Sequence, residues 1–143
     1  MREVSLQMID HHISLDWWKK LIQYFVHEGD SVEIRCWREE VDEIQQASIY
    51  GLPTNENYEV SIKGIVSEKL ISELLSENPI DKSIYNKMTK YFTINVEHER
   101  RKFCSAHYGT EIYLIGVSDD DIAFFKDIMK EFTEEDFSIH IDK

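Results

Sequence analysis

Two short stretches of the sequence contain side chains that often do chemistry in proteins. The first is the pair His11–His12. Adjacent residues point to different sides of a helix or a strand, and zinc needs three or four ligands, so the pair alone predicts no metal site. The second is Cys104-Ser-Ala-His107. Residues three apart on a strand face opposite ways, so we interpret this stretch as a buried thiol and a hairpin histidine rather than a nucleophile with its base.

The sequence contains no recognisable phosphate-binding loop and no carboxylate that stands out as catalytic. The five glycines are scattered, and they form neither GxGxxG nor GxxxxGK[ST], the loops that cradle nucleotide phosphates. Carboxylates are abundant, but a catalytic acid needs burial that raises its pKa, and the sequence singles out no such residue. The sequence therefore predicts a protein that is not an enzyme and has no metal and no cofactor.

The charge of the chain argues for a different kind of partner. Its 28 acidic and 16 basic residues give a net charge of −12, whereas nucleic-acid binding needs a basic surface. The acids form three runs, and the bases concentrate between residues 82 and 102, so a polarised molecule is expected. The acidic runs are Glu39, Glu40, Asp42 and Glu43; Asp119 to Asp121; and Glu131, Glu134, Glu135 and Asp136.

Trp37 stands directly before the first acidic run. In the strand-like stretch "SVEIRCWRE" it shares a face with Glu33 and Arg35, opposite Val32 and its apolar neighbours. Either another layer covers this tryptophan, or it stacks on an arginine, or it faces a partner as an aromatic anchor surrounded by charge. The last interpretation makes Trp37 and the first acidic run candidate partner-binding residues.

The acidic residues of the last predicted helix differ between its two ends. Ser118 and Asp121 form an S-x-x-D cap, and the helix dipole favours the acids that follow Ser118. Glu131, Glu134, Glu135 and Asp136 lie instead near the negative end of the dipole, where each acid costs a little stability. Either these acids have little effect on fitness and have accumulated by drift, or they are retained to bind a cationic partner. The second alternative adds them to the candidate partner-binding residues.

The apolar pattern predicts a single α+β domain over residues 1–143. Helices are expected at 15–28, 68–76 and 119–132, and strands at 31–38, 90–98, 111–117 and 136–142, with a hairpin near Gly109. Three stretches, at 3–21, 59–75 and 111–128, each read as a strand followed by a helix. Residues 39–50 fit a helix or a strand, and 50–58 looks like a loop. The expected architecture is a mostly antiparallel or mixed sheet with two to three helices packed on one face.

Nothing in the sequence indicates export or membrane insertion. Cys36 and Cys104 fit free thiols in a reducing compartment, and the N-terminal stretch contains Glu3 and no signal-like apolar core. No apolar run approaches the roughly 18 residues of a membrane span. The sequence therefore predicts a cytoplasmic location.

Size, acidity, layout and aromatic content together resemble the small bacterial immunity proteins. These are cognate inhibitors of toxins, often basic nucleases, so the resemblance implies an interaction protein that occludes a basic partner's active site. It carries no family motif and transfers no residue roles. The alternative function is a small ligand-binding domain or enzyme with a pocket between sheet and helices, for which His98, His107 and Tyr113 are the candidate lining residues.

Overall fold

The computed structural model describes residues 2–78 and 86–142, so Lys82, within the basic stretch, lies outside the described part. Within those residues the chain forms eight strands and four helices, which confirms the predicted α+β class. In chain order the elements are β1 (Arg2–Met8), α1 (Asp16–Phe25), β2 (Ser31–Trp37), α2 (Val41–Ala47), β3 (Gly51–Glu56), β4 (Glu59–Ile65), α3 (Glu68–Leu75), β5 (Thr93–His98), β6 (Arg101–Ala106), β7 (Glu111–Val117), α4 (Asp119–Met129) and β8 (Phe137–Ile141).

All eight strands belong to one antiparallel sheet. Its strand order is β3-β4-β2-β5-β6-β7-β1-β8, so β3 and β8 are the two edges. The alternation of apolar and polar residues along most strands explains this arrangement, because an antiparallel sheet can bury one face and leave the other in water. The predicted hairpin near Gly109 is the β6–β7 connection.

The helices cover one face of the sheet. From α1, Trp18, Leu21, Ile22 and Phe25 are buried as the spacing predicts, and Trp17 is buried as well, edge-on against Phe137. The Trp18 indole N–H donates to Ser105 Oγ on β6 at 3.0 Å, which fixes the helix to the sheet. On the opposite face, Glu33 and Arg35 are half-buried and pair at 3.0 Å, and an open cavity lies over these strands.

Three local expectations need correction, and one open alternative is decided. Helix α1 ends at Phe25, because Val26 is already extended (φ −113°, ψ 119°), and Gly29 turns the chain with φ +95°. Residues 39–50, which fit a helix or a strand, contain the helix α2. Residues 50–58 are not a loop but include the edge strand β3, because an edge position tolerates Pro53. Helix α4 ends at Met129, three residues earlier than expected.

The front of α4 is built as the sequence predicts. Ser118 Oγ accepts from the Asp121 N–H at 3.1 Å, and the Asp121 carboxylate accepts from the Ser118 N–H at 3.0 Å. Asp121 also accepts from the Tyr24 hydroxyl at 2.8 Å, which ties the cap to α1. These contacts account for the acidic start of the helix by stability alone.

Candidate functional site

Both predicted partner-binding runs lie at the same end of the sheet. β2 finishes at Trp37, β1 finishes at Met8, and Met8 pairs with Phe137, the first residue of β8. Residues 38–43 follow β2 and residues 130–136 precede β8, so both runs cap this end, which we call the acidic end. Five strand-to-strand steps separate β2, which the first run follows, from β8, which the second run precedes, so the two strands are about 24 Å apart.

In the first run, Glu40 and Glu43 make contacts within the fold. The Glu40 carboxylate accepts from the Trp37 N–H at 2.8 Å and from the Tyr108 hydroxyl at 3.1 Å. Lys87 Nζ lies 2.9 Å from Glu43 and 3.4 Å from Glu40. Burial works to raise the pKa of Glu43, but the hydrogen bond and charge of Lys87 outweigh it and leave that pKa below its usual value. The carboxylates of Glu40 and Glu43 are therefore largely engaged in contacts within the protein.

Other acids of the two runs face solvent. Glu39 and Asp42 are exposed, and the described part of the chain supplies neither with an ion-pair partner. Asp136 is half-buried, and its carboxylate accepts from the Thr133 N–H at 3.0 Å, so it shapes the turn into β8. The exposed acids at the acidic end that no described cation neutralises are Glu39, Asp42, Glu131, Glu134 and Glu135.

The reason for expecting dipole repulsion at the back of α4 was wrong. The helix ends at Met129, so Glu134 and Glu135 lie outside its last turn, where the dipole has little effect. Lys130 also pairs with Asp127 at 2.8 Å, which offsets the acid nearest the helix end. Glu134 and Glu135 therefore cost α4 little, and both are exposed in the connection to β8.

An aromatic group lies beside the first acidic run. Trp37 is half-buried and packs on Phe92, with ring centroids 4.8 Å apart, rather than on Arg35 or Arg38. Phe92 in turn meets the edges of His107 and Tyr108 at 5.4 and 5.1 Å. We call these four residues the aromatic group, and it lies where β2 and β6 end and β5 begins, beside the first acidic run.

The hairpin residues of the aromatic group have unusual backbone conformations. His107 and Tyr108 have φ of +49° and +58°, a region that non-glycine residues seldom occupy, and Gly109 follows at +82°. The Tyr108 carbonyl accepts from the N–H groups of Met88 and Thr89 at 3.1 and 3.0 Å, which holds the strained turn in place. Sequence reasoning recognised the hairpin but missed this group, because its members meet only when β5 and β6 pair.

The open face of the sheet carries a polar network and a shallow cavity. The Glu33 carboxylate accepts from Ser61 Oγ at 2.5 Å, and from Arg35 and Asn95, each at 3.0 Å. Burial opposes ionisation of Glu33, yet these donors keep its pKa below the usual value. A cavity of about 720 Å³ lies over the same strands, and its lining includes Lys63 and Tyr113.

The other chemical candidates do not converge on a site. Burial raises the pKa of Cys104 to about 11 and that of Cys36 to about 12, so both thiols are poor nucleophiles at neutral pH. His98 bonds Asp30 at 2.7 Å at the opposite end of the sheet from His107. Over residues 2–78 and 86–142, no three histidine, cysteine or carboxylate side chains are grouped as a metal site requires.

A second carboxylate cluster, missed in the sequence, lies under the helices. Glu73 accepts from the hydroxyls of Tyr91 and Tyr50 at 2.5 and 2.7 Å, and from the Gln46 amide at 2.6 Å. Glu77, one turn later, is almost fully buried and accepts from the Lys90 N–H. Burial raises the pKa of Glu77 to about 7. The cluster joins α2, α3 and the segment before β5, and it is internal.

Comparison of the chain with known protein families, curated proteins and solved structures finds no match in any of the three. Within the described ranges, none of the helices has the length and apolar character that crossing a bilayer requires. The geometry of the acidic end is therefore the main guide to function.

Proposed function

We propose that this protein is a cytoplasmic inhibitor of the immunity-protein type, which binds a basic protein through its acidic end. The observation that carries the proposal is that both acidic runs adjoin strand ends at one end of the sheet, on strands β2 and β8 that are about 24 Å apart. A standard protein interface buries about 800 Å² on each partner, a patch roughly 30 Å across. Both runs therefore fit within one interface.

The side chains at this end suit such a contact. The exposed carboxylates of Glu39, Asp42, Glu134 and Glu135 offer charge to a cationic surface, which accelerates association and excludes acidic partners. Trp37 and the rest of the aromatic group lie beside the first run, and interfaces favour aromatic anchors near their centre. The arrangement combines exposed carboxylates with partly exposed aromatic side chains.

Occlusion is the mechanism that follows from this chemistry. A basic nuclease binds substrate phosphates with lysine and arginine side chains, and carboxylates pair with the same groups. An acidic end seated over that site blocks substrate access without any chemical step. The partner is accordingly a basic protein, a toxin nuclease domain in the first instance, and neither a nucleic acid nor a membrane.

Affinity capture with the intact chain as bait tests the proposal. Lysate of the source cell is passed over the immobilised protein and washed at about 50 mM and about 500 mM salt, where screening differs strongly. We expect one basic protein to be retained at low salt and released at high salt, and the purified pair to show reduced nuclease activity. Retention of nothing at either salt contradicts the proposal.

A matched pair of variants locates the contact. Glu134→Lys/Glu135→Lys reverses two exposed charges at the acidic end, and Glu28→Lys/Glu99→Lys makes the same change at the opposite end. With the captured partner at low salt, the first variant should lower the association rate by about tenfold and the second should leave it nearly unchanged. Equal effects of the two would show that net charge alone acts and would remove the acidic end as the site.

The cavity on the open face favours a second candidate, a small ligand-binding domain. Its volume of about 720 Å³ suits a small molecule, and Tyr113 is the one residue proposed for a ligand pocket that lines it. The cavity lies on the uncovered face rather than between sheet and helices. A metabolite that raises the melting temperature of wild type but not of Tyr113→Ala, with no protein partner present, would favour this function.

A further inference from the structure

The two edges of the sheet differ in how well they are protected. At the β3 edge, β3 and β4 join through a two-residue turn, and Glu56 pairs with Glu59 across it. In such a hairpin the pair next to the turn, Glu56 and Glu59, is hydrogen-bonded, and every second residue of β3 from Glu56 bonds to β4. The backbone N and C=O of Pro53 therefore point away from the sheet. Because proline has no N–H, it removes a donor that would otherwise be free on this edge.

The β8 edge has no such protection. Its sequence, Phe-Ser-Ile-His-Ile, contains no proline and no lysine or carboxylate. The Ile9 N–H donates to the Asp136 carbonyl and the Asp142 N–H donates to the Glu3 carbonyl, both at 2.9 Å. Even-numbered residues of β8 therefore bond to β1, and the N–H and C=O groups of Ile139 and Ile141 point away from the sheet.

These outward groups are accessible. Ile139 is 40% exposed, and among the described residues no backbone or side-chain group bonds the outward amides or carbonyls of Ile139 and Ile141. Phe137 differs, because its N–H donates to the Thr133 carbonyl at 3.2 Å. The free part of the edge is thus the C-terminal half of β8, next to a hollow of about 320 Å³ that His140 and Asp142 help to line.

The charges around β8 favour one kind of occupant. Glu134 and Glu135 precede the strand and Asp142 follows it, so an electrically neutral edge is bracketed by exposed acids. A second copy of this chain fits poorly, because antiparallel self-pairing centred on Ile139 would bring Asp136 opposite Asp142 at both ends. An extended segment with apolar residues at its centre and lysine or arginine at its ends fits both features.

We propose that β8 accepts an extended segment of the basic partner as an additional strand of the sheet. Main-chain bonds to Ile139 and Ile141 hold the segment, an apolar side chain of the partner packs beside Ile139, and cationic ends meet Glu134, Glu135 and Asp142. The identity of the partner as a basic protein rests on the proposed function. The free edge follows from the fold alone.

Amide hydrogen exchange of the intact chain with a defined probe tests the proposal. The probe is a blocked synthetic peptide of alternating valine and threonine with paired lysines at each end. Without peptide, the Ile139 and Ile141 amides should exchange much faster than those of Ser138 and His140, which bond to β1. With millimolar peptide, we expect exchange at Ile139 and Ile141 to slow by about tenfold or more. Binding with no protection at these amides, or no binding, overturns the proposal.

Two proline variants make the test specific. Ile139→Pro removes an outward N–H from β8, and Asn55→Pro makes the matched change at an outward position of β3. Peptide binding should be lost only in the first variant. Should Ile139→Pro fail to fold by circular dichroism, Glu134→Lys/Glu135→Lys replaces it, with weaker binding of the lysine-ended peptide expected.

The same variants separate the two proposals. A captured basic protein that needs Glu134 and Glu135 but binds Ile139→Pro as tightly as wild type would overturn strand addition and leave the proposed function standing. Failure to capture any partner, together with protection of Ile139 and Ile141 by the peptide, would overturn the proposed function and leave strand addition standing.

Discussion

Lys87 pairs with two of the four acids in the run that follows Trp37, so these acids do not form a uniform binding surface. Four acids close together suggest a uniform binding patch, yet Lys87, Tyr108 and the Trp37 N–H engage Glu40 and Glu43. Glu39 and Asp42 remain exposed. Neighbouring residues of the same type therefore have different roles, two in stability and two available for binding.

Neutral variants of this run should separate those roles. Glu40→Gln replaces a half-buried charge that accepts from Trp37, Tyr108 and Lys87, and we expect a loss of about 1–2 kcal/mol in the free energy of unfolding. Glu39→Gln, the control, should change it by less than about 0.5 kcal/mol. Urea denaturation measures both, and equal stability of the two variants would contradict the assigned contacts.

Glu77 should make stability depend on pH near neutrality. Its pKa of about 7 in the folded protein, raised first by burial and then by the nearby charge of Glu73, exceeds the ordinary glutamate value. The folded state therefore binds more protons than the unfolded state between the two values. This contribution is full below the ordinary glutamate pKa and is lost as pH rises through about 7.

The variant Glu77→Gln removes this dependence. We expect the melting temperature of wild type to fall between about pH 5 and pH 8, and Glu77→Gln to fall less and to be the more stable protein at about pH 8. Glu68→Gln, at an exposed site in α3, is the control. Parallel pH profiles for wild type and Glu77→Gln would show that Glu77 titrates normally.

At the scale of elements, the edge strand β3 depends on a close backbone approach. A Cβ on Gly64 would lie 2.0 Å from the Tyr50 carbonyl oxygen, and one on Gly51 would lie 2.3 Å from the Lys63 carbonyl oxygen. The two glycines pair directly across β3 and β4. Their lack of side chains lets the chain cross from α2 into the edge of the sheet.

Substitution of Gly64 should therefore damage the β3–β4 hairpin. Gly64→Ala forces backbone to move, and we expect it to lower the free energy of unfolding by about 2 kcal/mol or more. Gly29→Ala is a useful contrast, because nothing lies within 4 Å and only its φ of +95° resists, at about 1 kcal/mol. Chemical denaturation should rank the two in this order, and the reverse order would contradict the close approach.

At the scale of the whole molecule, the net charge of −12 is distributed unevenly. Arg101 pairs with Asp121 and Arg2 with Asp119 at the far end of the sheet, so cations offset part of the run Asp119–Asp121. The acidic end keeps exposed acids that no described cation neutralises. The expected polarisation is therefore present in part, although Lys87 lies among the acids rather than apart from them.

Removing acidic charge from the acidic end should raise the stability of the protein and weaken its binding to the partner. Glu134→Lys/Glu135→Lys relieves repulsion among exposed acids, so we expect its melting temperature to rise by about 1–2 °C at low salt while partner binding weakens. Added salt should shrink the difference from wild type by screening. Calorimetry at two salt concentrations measures this, and a lower melting temperature for the variant would show that these acids stabilise the fold.

The sequence by itself determined the α+β class, the core faces of α1 and β2, the α4 cap and the strong acidity. All of these depend on residues close together in the chain, where periodicity and capping chemistry act. Tertiary structure alone decided the partner of Lys87, the aromatic group, the Glu73–Glu77 cluster and the shared end of the two acidic runs. Strand order brings these residues together from distant parts of the chain, and local patterns carry no information about which strands pair.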